Sequence, residues 1–173
     1  ADLLTYRLDI PQEGGVRPTP DRPTELRVST FPTVHGEKAV VRLFDARAEL
    51  LDLDELGLPP DARAGLGRLL DERTGAVFLT GPSGSGKTTT IYACLRRLAA
   101  TRHVVTIEDP VERHIDGVTQ SQARPGTEFD FARGLRSLLR QDPEVIMVGE
   151  VRDRETAAVA VEADQGLLVV AQP

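Results

Sequence analysis

Aromatic side chains are scarce in this chain: 4% of its 173 residues, with two Tyr, five Phe and no Trp. That argues against base-stacking platforms for single-stranded nucleic acid, which lean on aromatic rings. There is a single cysteine, Cys94. A lone thiol forms no internal disulfide and has no partners for a zinc site, so Cys94 reads as a small core residue, consistent with a reducing, cytosolic location. No apolar run approaches the roughly 20 residues of a membrane span, and the first residues lack the pattern of a signal peptide. Any membrane role is therefore expected to come through partners. Basic residues are in deficit, 21 Lys and Arg against 27 Asp and Glu, giving a net charge of −6. This balance argues against a nucleic-acid footprint spread over the whole surface. The histidines His35, His103 and His114 match no metal-ligand spacing and read as structural or surface residues.

What is present is the run Gly81-Pro82-Ser83-Gly84-Ser85-Gly86-Lys87-Thr88, followed by Thr89. It fits the phosphate-loop pattern of a glycine, four residues, then Gly-Lys-Ser/Thr. Residues 76–80 before it read as a short buried strand, and 87–100 after it as a helix with Ile91, Leu95 and Leu98 at helical spacing. In that setting backbone N–H groups converge on phosphate oxygens at the positive end of the new helix. Lys87 adds a point charge on the β- and γ-phosphates, and the Thr88 hydroxyl is placed to ligate Mg²⁺. Residues 81–89 are thus the expected nucleotide site, with ATP and Mg²⁺ as ligands.

Around this stretch the chain reads as β-rich first and alternating α/β afterwards. Residues 24–30 and 38–44 alternate apolar and polar like half-buried strands. The prolines and the Gly14-Gly15 pair between Ile10 and Pro23 predict a loop or hairpin tip, and Pro32 with His35-Gly36 punctuates the link between the strands. Residues 48–74 form a transition, with a helix expected over 61–73 behind Pro59-Pro60 and striped by Leu66, Leu69 and Leu70. Beyond it, strands are expected at 76–80, 103–107, 145–149 and 167–171, and helices at 87–100, 129–141 and 153–163. A parallel sheet with covering helices demands that alternation.

A phosphate loop needs acidic partners. Mg²⁺ takes carboxylates or ordered waters, and hydrolysis needs a base to orient the attacking water. Two acidic sites stand at the C-terminal ends of predicted strands, where ligands gather in open α/β sheets. They are Glu108-Asp109 after 103–107, and Glu150 after 145–149 in a Walker B arrangement.

The run Thr106-Ile107-Glu108-Asp109-Pro110-Val111-Glu112 resembles the aspartate box of the secretion ATPases, which serve type II secretion, type IV pilus assembly and retraction, and related type IV systems. Residues 131–153, ending in Pro143-Glu144-Val145-Ile146-Met147-Val148-Gly149-Glu150-Val151-Arg152-Asp153, are similar to that family's Walker B region almost residue for residue. Residues 26–38 resemble the end of its N-terminal PAS-like domain, and the likeness points to the type II secretion and pilus-extension branch. The resemblance implies an α/β fold: a RecA-like P-loop ATPase core at 75–173, with a parallel sheet and flanking helices. Ahead of it would lie a linker and helix at 48–74 and the C-terminal part of a small β-rich PAS-like domain at 1–47. It implies a hexameric motor that binds ATP between the two domains and acts from the cytoplasm on an inner-membrane platform protein; the acidic charge and few aromatics argue against a nucleic-acid partner.

The same resemblance assigns roles. Lys87 and Thr88 hold the phosphates and Mg²⁺, Glu150 orders the metal or the water, and Glu108 is the candidate general base. Arginines that close on the γ-phosphate map to Arg27 and Arg42 in the first domain, and to Arg136 and Arg140 in the helix before Walker B. Arg133, Arg136 and Arg140 share one helical face by their spacing.

Three departures accompany the likeness. The family's run at 11–15 ends in an arginine, whereas this chain reads Pro11-Gln12-Glu13-Gly14-Gly15, with Arg17 the nearest substitute. Gln165-Gly166-Leu167 and Ala171-Gln172-Pro173 stand where the family's histidine box is expected. The chain also ends at the strand 167–171, expected between the strands 76–80 and 145–149, which leaves 76–80 as an exposed apolar edge. The family's four-cysteine zinc element and C-terminal helices are missing. The expectation is a truncated secretion or pilus ATPase core that binds Mg²⁺-ATP, as a homo-hexamer or beside a full-length ATPase. The alternative is a non-hydrolysing nucleotide-binding interaction or regulatory module derived from one.

Overall fold

Val16, Leu26, Val28, Val41 and Leu43 fall on one face of an antiparallel sheet, because side chains alternate along a strand and paired residues share a face. This sheet belongs to the first of two units, Ala1–Glu49 and Leu50–Pro173, into which the chain divides. The structure is a computed structural model that describes residues 6–16, 19, 24–45, 51–124, 127, 129–163 and 166–172. In the first unit β1 (Gln12–Val16), β2 (Thr24–Thr33) and β3 (Gly36–Asp45) lie in the order β1-β2-β3.

Two sequence expectations are corrected here. Residues 12–16, expected in a loop or hairpin tip, form β1, because the Gly14-Gly15 pair is tolerated where Val28 and Arg27 supply the neighbouring ladder. Pro32, expected in the link between strands, lies inside β2 opposite Glu37. It sits beyond the stretch of β2 that pairs with β1, so its missing N–H interrupts no ladder on that side. Arg17 falls outside the described residues.

The second unit is built on an apolar parallel sheet. The residues of β5 (Val104–Glu108), β7 (Val145–Val148) and β8 (Leu168–Ala171) are buried throughout, as strands covered on both faces must be. Alternation then sorts their side chains. Val104, Val145, Met147, Leu168 and Val170 pack with α1 (Pro60–Asp71) and α2 (Lys87–Ala99). Val105, Ile107, Ile146, Val148 and Val169 pack with α3 (Phe131–Leu138) and α4 (Arg154–Ala163). The result is a three-layer α/β/α arrangement. Each fully buried aliphatic side chain contributes roughly 1.5–3 kcal/mol in transfer free energy.

The sheet order is β4-β8-β7-β5-β6, with β4 at Gly75–Phe78 and β6 at Val118–Gln122. As expected, β8 inserts between β4 and β7, and β4 is an edge strand, with Phe78 51% exposed. The strand β6 was not expected. Val118 is its sole aliphatic residue, and an edge strand beside β5 needs little more. Helix ends also shift. The helix expected over 129–141 starts at Phe131, because the Asp130 carboxylate accepts the Arg133 N–H at 2.8 Å as an N-cap; it then tightens to a 3₁₀ turn at Leu139–Gln141. In α1, Leu70 is buried as expected but Leu69 is 52% exposed. Among the described residues no helix is long and apolar enough to cross a membrane.

Candidate functional site

The strand β4 delivers the chain to a loop whose residues 81–86 are all exposed. Gly86 closes it at φ 89°, a left-handed backbone that a side chain would strain, and the helix α2 starts at the next residue. Thr90 N–H donates to Gly86 O at 2.9 Å, the first bond of the helix. The N–H groups before it have no helical acceptor, which makes this end a natural anion seat. Lys87 Nζ folds back onto the loop, donating to Gly81 O at 2.8 Å and Pro82 O at 2.9 Å. Its charge is held against the loop rather than spread into solvent.

β5 and β7 are hydrogen-bonded neighbours, so Glu108, the last residue of β5, and Glu150, two residues past β7, come out at the same end of the sheet. Their backbones approach closely through Gly149. Its N–H donates to Ile107 O at 2.8 Å, and a Cβ there would lie 3.1 Å from both Glu108 Cα and Ile107 O. Glu108 shares the α2-facing side of β5 with Thr106 and Val104, two and four residues back. Thr106 Oγ1 donates to Glu108 Oε1 at 2.6 Å. Gln120, in register with Thr106 on β6, donates its Nε2 to the same oxygen at 3.1 Å. From α2 the Tyr92 hydroxyl donates to Oε2. The carboxylate is 4% exposed and held by three neutral donors, which meets the requirement that a buried charge be hydrogen-bonded. Burial, reinforced by the Glu108 bond, pushes the Tyr92 phenol far above its ordinary range, so it remains a donor.

Glu150 is placed differently. Its side chain retains 22% of its exposure and pairs with the Arg152 guanidinium at 2.8 Å. Partial burial pushes its carboxyl above the ordinary value, Arg152 pulls it back, and Asp109 adds to the rise. Thr88 of the phosphate loop, Glu108 and Glu150 line one cavity of about 110 Å³, together with Tyr92, Gly149 and Gln172. The start of α2, just past the glycine-rich loop, and the two acidic strand ends therefore meet at one place. Among the described residues no group of three or more His, Cys, Asp or Glu forms a metal cage. The chemistry suits Mg²⁺ nonetheless, since that ion is usually held by one or two protein oxygens plus substrate phosphates.

The arginines are distributed. Arg136 Nη1 pairs with Glu155 Oε1 at 2.9 Å, bridging α3 and α4. Arg140 donates to Arg136 O at 3.1 Å and Ser137 Oγ at 3.3 Å. Neither lines the cavity. Arg27 and Arg42 belong to the first unit, where the register sets them directly opposite each other on β2 and β3. Asp153, the last residue of the run 131–153, caps α4, its carboxylate accepting the Thr156 N–H at 2.7 Å and the Thr156 hydroxyl at 3.0 Å. Those bonds hold its carboxyl below the ordinary range. Sequence reasoning missed three polar residues around the cavity. Tyr92 was legible as the residue four after Thr88, on the same helical face. Gln120 lay on an unrecognised strand. Gln172 stands in the expected histidine-box segment and lines the cavity; Gln165 and Pro173 of that segment lie outside the described residues.

Known proteins resemble this chain in sequence and in fold. The family described as "Type II/IV secretion system protein" matches residues 5–170. The type II secretion system protein HxcR of Pseudomonas aeruginosa is 48% identical over 173 residues, covering 98% of this chain and 36% of the relative. Type II secretion system ATPase E of Vibrio cholerae is 47% identical over 156 residues, covering 89% of this chain and 31% of the relative. The chain thus spans about a third of the length of these curated relatives. Among solved structures, the pilus retraction motor PilT with bound ADP matches with a TM-score of 0.74 at 34% identity, over 96% of this chain and 47% of that one. The Legionella pneumophila ATPase DotB matches with a TM-score of 0.72 at 30% identity, over 95% of this chain and 46% of that one. A family match over nearly the whole length, and identity near one half to its members, mean that this chain belongs to the type II/IV secretion system protein family.

Proposed function

We propose that this chain binds Mg²⁺-ATP and hydrolyses it as part of a secretion or pilus motor. The observation that carries the reading is the convergence of Thr88, Glu108 and Glu150 on one cavity at the phosphate loop. Residues 81–89 would hold the phosphates, with Lys87 exchanging its two loop carbonyls for phosphate oxygens. Thr88 and Glu150 would hold Mg²⁺ directly or through water, and the ion, when bound, supplies charge neutralisation for the leaving phosphates. Glu108 would accept a proton as water attacks the γ-phosphorus and the bond to ADP breaks. A positioned base of this kind is worth about 10²–10⁴ in rate. The likeness to a pilus motor solved with ADP supports the choice of nucleotide.

The arginines enter the proposal as contacts of the assembled motor. The exposed Arg136–Glu155 pair is worth at most about 1 kcal/mol, so Arg136 is available to a stronger anion at little cost. Arg27 and Arg42, which face each other on β2 and β3, enter by the family resemblance. Family resemblance extends the reading to a PAS-like identity for the first unit and a hexameric ring. It also suggests an inner-membrane platform protein as partner, met from the cytoplasmic side.

Phosphate release with Mg²⁺-ATP across protein concentrations, beside Lys87→Ala and Glu150→Gln, tests the proposal. Turnover that rises with concentration and disappears in both variants is expected. Nucleotide affinity unchanged in Lys87→Ala would overturn the site assignment. Nucleotide binding without turnover would instead favour the non-hydrolysing interaction module.

A further inference from the structure

Tyr92 joins three parts of the fold through one hydroxyl. A phenol has one proton to donate and two acceptor positions. The proton goes to Glu108 Oε2 on β5, and the oxygen accepts the backbone N–H groups of Glu112 at 3.1 Å and Arg113 at 3.4 Å. All three positions are used, and the side chain is 3% exposed. Losing the hydroxyl would remove one donor from the buried Glu108 and the acceptor shared by the two backbone N–H groups.

The carboxylate it holds has two oxygens with about two lone-pair positions each. Oε1 accepts from Thr106 and Gln120, which fills both. Oε2 accepts from Tyr92 and keeps one position beside that bond, on a residue that lines the cavity with Thr88 and Glu150.

We propose that Tyr92 is a positioning residue for hydrolysis. Its hydroxyl orients Glu108 so that the remaining position of Oε2 takes the proton of the attacking water, and it couples that orientation to the backbone at 112–113. The proposal rests on the ATP-hydrolysis reading above. In the step concerned, the water O–H bond breaks with its proton passing to Oε2. The water oxygen bonds to the γ-phosphorus, and the bond from phosphorus to the bridging oxygen of ADP breaks with its electron pair. Thr106 and Gln120 hold the other oxygen and keep the carboxylate from rotating. Gln120 also donates to Arg113 O at 2.9 Å and accepts the Ile115 N–H at 2.8 Å, so it ties the same loop to the same carboxylate.

Tyr92→Phe keeps the ring and removes the hydroxyl. The experiment compares the purified chain with Tyr92→Phe, Glu108→Gln, the double variant and Lys87→Ala in steady-state ATP turnover, with ADP affinity measured separately. Tyr92→Phe is expected to lower kcat about tenfold while KM and ADP affinity stay within about twofold, the pattern of an interaction that matters in the transition state. On the Glu108→Gln background the same change should have no further effect on kcat. Amide hydrogen exchange at 112–113 should speed up, while that of α2 stays as in the wild type. A kcat within twofold of wild type, or a loss that multiplies in the double variant, would overturn the proposal, the latter marking Tyr92 as a packing residue. If Tyr92→Phe does not fold, Gln120→Leu replaces it, with a lowered kcat at unchanged KM expected and an unchanged kcat overturning the idea. Wild-type turnover no greater than that of Lys87→Ala would overturn the hydrolysis reading itself, and this proposal with it. Turnover in the wild type with no effect of Tyr92→Phe overturns this proposal alone.

Discussion

The ends of β5 and β7 carry the same residue type one strand apart, yet the two glutamates live in different chemistry. Glu108 lies on the α2 side of its strand, buried but bordering the cavity, with neutral donors reaching it from β5, β6 and α2. Glu150 stands two residues beyond its strand, partly exposed, beside an arginine that is itself 79% exposed. The difference is geometric in origin. A residue inside the strand inherits the packing of the sheet face. One past the strand end inherits only what the following loop brings near. A buried, fully oriented carboxylate suits proton transfer at a fixed atom. A partly exposed one that shares its charge with an exposed arginine suits water or a metal with exchanging ligands.

The largest test of this contrast is Glu108→Gln. Turnover should fall by about 100-fold or more while nucleotide affinity is retained; a loss below tenfold would erase the catalytic half of the comparison. The same change sets an amide N–H₂ against the Tyr92 oxygen, which already accepts two backbone N–H groups, so urea unfolding should report a cost of about 1–3 kcal/mol, a penalty that Glu150→Gln should not incur.

Gly149→Ala comes next. The new Cβ would press on backbone atoms of β5 at 3.1 Å, and these cannot rotate away as a side-chain end would. A loss of about 1–3 kcal/mol in chemical denaturation is expected. A neutral result would mean that the two strand ends are less tightly coupled than their backbone contact implies.

A subtler separation comes from pH. The Glu150 carboxyl titrates above its ordinary value of 4.5 in the folded chain, so between those two values the folded state holds more protons than the unfolded one. Stability contributed by Glu150 is therefore full below 4.5 and is lost as pH rises through the folded value. Melting temperatures of Glu150→Gln relative to wild type should accordingly improve as pH rises across this window and then level off. A difference that stays flat from acid to neutral pH would show that burial does not govern this group. Smallest of all is Arg152→Ala, expected to change stability by no more than about 0.5 kcal/mol, as exposed ion pairs do. A larger loss would make the ion pair, rather than burial, the controlling feature of Glu150.

Much of this site was legible because its parts are local. The phosphate loop needs only a strand, a glycine-rich turn and a helix in succession, and all three leave periodic or compositional marks within residues 75–100. The acidic strand ends followed from the rule that ligands gather at the C-terminal edge of a parallel sheet. Signals weakened where neighbours, rather than the segment, pay the folding cost. Residues 12–16 carry two glycines and are a strand because β2 offers them a ladder. Residues 118–122 are a strand because β5 does the same, and Gln120 acquires its role only through that pairing. Helix ends moved by a few residues because a cap such as Asp130 decides them, not the apolar period.

By itself, then, the sequence determined the family and the parallel α/β class, and it singled out residues 81–89, Glu108 and Glu150 as the candidate site. These rest on short-range steric and hydrogen-bonding rules that any copy of the motif obeys. Only the tertiary structure decided which carboxylate is buried and which is partly exposed, that Tyr92 and Gln120 hold the first, and that Arg136 on α3 pairs with Glu155 on α4. Those outcomes depend on which strands lie side by side and which face a helix covers, and they join residues up to 19 positions apart in the chain.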